Sequence, residues 1–138
     1  MADNRFTWTG LEELKADLRN LPATLAGKGA DRVEARANNA YATIHAGYPS
    51  RSGDLRNDLT VTHARNQFGA TSLVRNSSKH ALAFDVGTQA RHNKLGANRG
   101  SMPANPLFSQ TIVQERRRMW SDLKDLLTEE GLTVTGDA

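Results

Sequence analysis

Cysteine is absent from this chain of 138 residues, which excludes disulfides and any zinc site built on thiolates. No apolar run approaches the roughly 18 residues of a membrane span. The polar Met1–Gly10 segment lacks the charged-then-apolar order of a signal peptide. These absences predict a protein made and used in a cytoplasm. Apolar residues amount to 38% and charged residues to 24%, ordinary for a soluble domain but lean in core formers, so neighbouring subunits are expected to supply part of the stability. Acid is missing from one long stretch: between Val86 and Gln114 there is none, while Arg91, Lys94 and Arg99 are present, and Arg116, Arg117 and Arg118 follow. The formal net charge of +3 is too small by itself to announce a nucleic-acid binder, whose basic residues are usually concentrated.

What is present predicts one α+β domain over residues 1–138, a small antiparallel sheet packed with two to three helices. Phe6-Thr7-Trp8-Thr9 alternates aromatic and threonine as a short strand does. Thr9 and Glu12 have capping-box spacing, and Leu11, Leu14, Leu18 and Leu21 follow at helical spacing. Pro22 is expected to stop that helix. A second, longer helix is expected from about Leu25 to Ala46, with Val33, Ala37, Ala40, Tyr41 and Ile44 on one face and Gly47 as its cap. Leu55–Ala64 and Ala70–Asn76 read as the strands of a hairpin. His80–Val86 reads as a helical turn or a strand. Thr88–Ala104 has no periodicity and is rich in Gly, Asn and basic residues, which predicts a binding loop or a disordered one. Asn105 and Pro106 have the order of an N-cap and a first helical residue. Phe108, Ile112, Met119, Trp120, Leu123, Leu126 and Leu127 then make an apolar stripe. Leu132–Ala138 is expected to be a tail, either a short strand or flexible.

Motifs for catalysis or metal binding are few. His45, His63, His80 and His92 are never four residues apart, so no helical metal pair exists. Ser52, His63 and Asp85 can be drawn as a triad only on paper, since no nucleophile elbow accompanies them. Gly27-Lys28-Gly29 has neither the spacing nor the preceding strand of a phosphate loop. No cofactor or metal is expected, and no enzymatic activity. The acid-free loop has a bland reading as a solvated surface segment, and a functional one as a contact for phosphates or an acidic partner. Arg116–Arg118 have a solvated reading, with long stems covering apolar surface, and a sharper one as an inter-subunit contact.

Three stretches carry a resemblance. Ser52-Gly53-Asp54-Leu55-Arg56 resembles a Ser/Thr-Gly-any-Leu-Arg signature. His80-Ala81-Leu82-Ala83-Phe84-Asp85-Val86-Gly87-Thr88 resembles a Tyr-Ala, apolar, Glu, Gly-Thr signature, with His80 for Tyr and Asp85 for Glu. Met102-Pro103-Ala104-Asn105-Pro106-Leu107-Phe108 resembles a proline–aromatic approach to a C-terminal helix. Their order and spacing resemble the tail-completion or head–tail joining proteins of long-tailed bacteriophages. That resemblance covers roughly Leu25 to Leu127. It implies a virion component at the head–tail junction, assembled in the host bacterial cytoplasm. It also implies a homo-oligomeric ring, commonly a hexamer, that contacts adjacent neck, adaptor or tail-tube proteins and encircles the DNA. On it, Gly53, Leu55, Arg56, Ala81, Asp85, Gly87, Thr88, Pro106 and Phe108 are expected to be structural, with Arg56 and Asp85 of complementary charge. Arg91, Lys94, Arg99 and Arg116–Arg118 are the candidate contacts to partners or to DNA in the channel. A non-specific DNA-binding accessory protein is the competing expectation, and no membrane partner is expected.

Overall fold

Leu11 through Gly47 form one uninterrupted helix, α1, with Pro22 inside it, where the sequence predicts a break. Proline deletes one backbone hydrogen bond and crowds the preceding turn, but its φ is helical. Helix formers on both sides carry the chain through at a cost of about 3 kcal/mol. The computed structural model describes residues 11–67 and 69–133. The expected strand at Phe6–Thr9, the capping box at Thr9 and the end of the tail lie outside these residues.

A single helical turn, α2 (Asp54–Asn57), precedes the strands β1 (Leu59–Asn66) and β2 (Gly69–Asn76). Leu55 therefore sits in a helical turn and not in the predicted strand. Gly53 adopts a φ of 78°, and its carbonyl accepts from Arg56 N and Asn57 N, which winds the chain before it can extend. The short helix α3 (Ala81–Val86) and the long helix α4 (Leu107–Glu129) complete the order. The architecture is α+β with a small sheet, as expected.

β1 and β2 pair antiparallel with Val61 opposite Val74 and His63 opposite Ser72. Side chains alternate across a strand, so Leu59, Val61, His63 and Arg65 share one face. That face lies on α1: His63 donates from Nε2 to Asn38 Oδ1 at 3.1 Å and accepts at Nδ1 from the Ser72 hydroxyl at 2.8 Å. Arg65 forks onto Glu34 and also reaches Asp31. The opposite face, with Thr60, Thr62, Thr71 and Leu73, is exposed.

α4 lies antiparallel on α1 along a ladder of ion pairs. Lys28 meets Glu130, Arg32 meets Glu129, and Arg36 grips Asp122 with Nε and Nη2 at 2.6 and 3.1 Å. Glu115, only 7% exposed, accepts from Arg36 at 3.4 Å and from Arg118 at 2.6 Å. Small residues on α1 let the helices approach. Gly29 faces Leu123, and a side chain at Gly47 would begin 2.6 Å from a methyl of Leu107. Gly47 is thus the last helical residue, packed against the Leu107 side chain, and not the left-handed cap the sequence suggests. The core is small: Ile44, Tyr48, Leu55 and Leu59 are buried, with Tyr41, Val74, Ala81, Phe84, Leu107, Phe108 and Ile112 packed around them. The Tyr48 and Phe84 rings meet edge to face at 5.4 Å. Trp120, assigned to the apolar stripe by spacing, is 51% exposed, because the face α4 turns to α1 runs through Ile112, Glu115, Met119, Leu123 and Leu126.

The ladder has a pH signature. The hydrogen bonds from Arg36 hold the Asp122 carboxyl below the usual carboxylate range, against the opposing effect of burial. A depressed folded pKa adds stability above the unfolded value of about 4, and that stability is lost as pH falls through the lower folded value. Stability in urea should therefore hold from neutrality down to about pH 4 and then fall. Asp122→Asn should be less stable at neutral pH and lose less on acidification; equal acid losses would show that this pair does not carry the acid step.

Candidate interaction site

The residues that carry the resemblance divide between α2, with Gly53, Leu55 and Arg56, and the place where α3, the segment after it and the start of α4 meet. Leu55 and Phe108 belong to the core or pack against it, as does Ala81. Arg56 donates from Nε to the Tyr48 carbonyl at 2.8 Å, tying α2 to the end of α1. Asp85 does not pair with Arg56. Its Oδ1 accepts from Phe108 N at 2.9 Å and Ser109 N at 3.4 Å, and so caps α4 from 23 residues away in the chain. A carboxylate at a helix N-terminus satisfies orphan N–H groups and meets the positive end of the helix dipole. Asn105 is consequently not the cap. Pro106 stands at that position with no side-chain bond of its own, while Asn105 N donates to the Phe84 carbonyl.

Gly87 has φ +83°, and a β-carbon there would lie 2.8 Å from Ala104 N and 2.9 Å from Met102 O. The contact is backbone against backbone, so no side chain can move aside. Thr88 then pairs with Met102 twice, N–H to carbonyl and Met102 N–H to the threonine hydroxyl, both at 2.9 Å. These contacts close the root of a projecting arm.

The arm itself, residues 89–101, is not structureless. Arg91 N donates to Gly100 O, Arg99 N to Arg91 O and Asn93 N to Ala97 O, and an isolated antiparallel bridge joins His92 and Asn98. At the tip, Asn93 Oδ1 accepts from Leu95 N and Ala97 N at 3.0 and 2.8 Å, the side-chain-to-backbone pattern that makes Asn a turn residue. Asn98 does the same for Gly100 N at 2.7 Å. Among the described residues, the hydrogen bonds of residues 89–101 stay within the arm.

Arg91, Lys94 and Arg99 are all exposed on the arm, and none forms an ion pair among the described residues. Leu95 at the tip is 92% exposed, and Leu82 and Val86 on the outer side of α3 are 74% and 65% exposed. Apolar and cationic groups are thus offered at the same end of the molecule.

The three consecutive arginines divide. Arg118 pairs with Glu115, Arg116 lines a groove beside β2, and Arg117 lies on the outer side of α4 with Val113. All three are exposed, and none turns into the α1 interface; the polar side chain that does is Glu115. Ser52, His63 and Asp85 are not brought together as a catalytic set. His63 is engaged with Ser72 and Asn38, and Asp85 with α4. No group of His, Asp and Glu able to hold a metal occurs among the described residues, and no helix there is long and apolar enough to cross a membrane.

Comparison with protein-family models, curated proteins and solved structures finds no match.

The root should be sensitive to both of its tight contacts. Gly87→Val should destabilise the domain by about 1–3 kcal/mol through the positive φ and the backbone clash. Asp85→Ala should cost about 1 kcal/mol through the lost cap, and Asp85→Asn less. Thermal melts identical to the wild type would refute the packing described for the root.

Proposed function

We propose that the protein is a structural, non-enzymatic subunit of a ring, a hexamer, at the head–tail junction of a tailed bacteriophage. The observation that carries this reading is the convergence of the resembling stretches. Leu55, Ala81 and Phe108 pack in or against one core, Asp85 caps α4 at Phe108, and Gly87 and Thr88 close the root of a hydrogen-bonded arm that presents unpaired cations and an exposed leucine.

The work in this reading is assembly. A closed ring of identical subunits needs a heterologous contact, one face of each copy meeting a different face of the next. Leu82, Val86 and Leu95 supply apolar surface for a contact to a copy or to an adjacent neck, adaptor or tail-tube protein. Arg91, Lys94 and Arg99 supply charge toward an acidic partner surface or the DNA in the channel. Their contact with DNA would be electrostatic and indifferent to sequence.

The arm also favours a second reading, a non-specific DNA-binding accessory protein. The two differ in what the arm is needed for. Because Thr88 and Met102 already touch, deleting Gln89–Gly100 should leave the fold intact, with a melting transition within about 0.5 kcal/mol of the wild type. In the structural reading the deletion abolishes incorporation into particles, and the intact protein lies between portal and tail tube in a virion reconstruction. A protein absent from virions that binds duplex DNA with steep salt dependence, lost on the deletion, would favour the accessory role instead.

A further inference from the structure

Among the described residues, β2 is paired on one side only, to β1, in a sheet of two strands. Along its other edge runs a groove of about 430 Å³. It is lined from α1 by Val33, Ala37 and Ala40 and from α4 by Phe108, Ile112 and Met119, with Arg36, Glu115 and Arg116 as its charged lining. The groove continues past Ala70 toward Leu25 and Leu123. An open strand edge is a template for another strand, and small floor residues leave depth for large side chains.

We propose that this groove receives the Phe6-Thr7-Trp8-Thr9 segment of a second copy, added as a third strand on the free edge of β2. The segment has the required alternation: as a strand it turns Phe6 and Trp8 to one side, toward the apolar floor, and Thr7 and Thr9 to the other. Aromatic side chains bury about 150–250 Å² each, which suits a groove floored by alanine.

The reach of the chain selects a second copy over the same one. α1 is continuous from Leu11, so Val33 lies about 33 Å along the helix from Leu11, and even Leu25 lies about 21 Å away. An extended chain from Leu11 back to Phe6 covers at most about 18 Å, and to Trp8 about 11 Å. Neither aromatic can return to its own groove. A neighbouring copy has no such limit, and donation from each copy to the next is a heterologous contact of the kind that closes a ring.

The proposal rests on the reading of the protein as a ring subunit, and one experiment separates the two. Because the chain has no cysteine, an introduced pair reports a single contact. Thr7→Cys is combined in the full-length protein with Thr71→Cys or with Leu73→Cys, oxidised, and run without reductant, beside native mass measurement. The expected result is a ladder of covalently linked copies, and dimers alone when the single variants are mixed. Phe6→Ser with Trp8→Ser should weaken self-association at least tenfold while the melting of the subunit is unchanged. A ring by native mass that yields no cross-link with either pair would overturn the strand exchange and leave the ring reading standing. A cross-link confined within one chain would also overturn it, as would equal loss of association on truncation after Thr133, which would give the groove to the C-terminal tail. A monomer at every concentration would overturn both readings.

Discussion

The antiparallel clasp of α1 and α4 is the constraint on which the rest of the molecule depends. Lys28, Arg32 and Arg36 project from successive turns of α1 and meet Glu130, Glu129, Asp122 and Glu115 of α4. Exposed ion pairs contribute little singly, about 0–1 kcal/mol. The Arg36 rung differs because its geometry is bidentate and Glu115 beside it is nearly buried. An uncompensated charge there would be expensive, so the rung specifies the register of the two helices. Sliding α4 by one turn would separate Asp122 and Glu115 from Arg36 and leave Glu115 with Arg118 of its own helix alone. With the register set, Leu107 and Phe108 arrive against the end of α1, and the core around Ile44 and Tyr48 closes.

That register also determines where the arm starts. α4 must begin where Asp85 can cap it, and α3 must lie where Phe84 meets Tyr48. The arm leaves from the short gap between these two anchors, pinched by Gly87 against Met102 and Ala104. Its internal hydrogen bonds hold a shape without support from the body. A segment organised in this way offers a defined surface and loses less conformational entropy on binding than a disordered loop would.

The helices, the hairpin and the α+β class were legible because each element has its own periodicity: aliphatics at helical spacing in α4, alternation of Leu59 and Val61 against threonines in β1. The errors share a cause, namely that the deciding partner was distant in sequence. Pro22 signals a stop locally, yet α1 passes through it. Gly47 has the composition of a cap, and its reason is Leu107. Asn105 has the composition of an N-cap, and the capping is done by Asp85. Trp120 fits an apolar stripe by type, and its angular position leaves it outside. The ion ladder did have a sequence signal: Lys28, Arg32 and Arg36 at intervals of four, and Glu115, Asp122 and Glu129 at intervals of seven. Each series marks one face of a helix, and their opposite signs predict that those faces meet. The role of Asp85 as the cap of α4 had no local signal, since that contact exists only after folding.

A two-stranded hairpin is marginal alone and depends on the surface it packs against. Here α1 covers one face of it, while the other face and the edge beside α4 stay open. The large side chains fully buried are few, and the groove next to that edge is apolar and floored by small residues. A chain built this way is folded but leaves an edge open: a strand that supplies backbone partners and aromatic bulk together would stabilise it further. If that strand comes from another copy, as proposed, burial of the edge and association of the copies become one event. On that proposal the apolar surface that the lean core leaves unburied in the single chain is what would make association favourable.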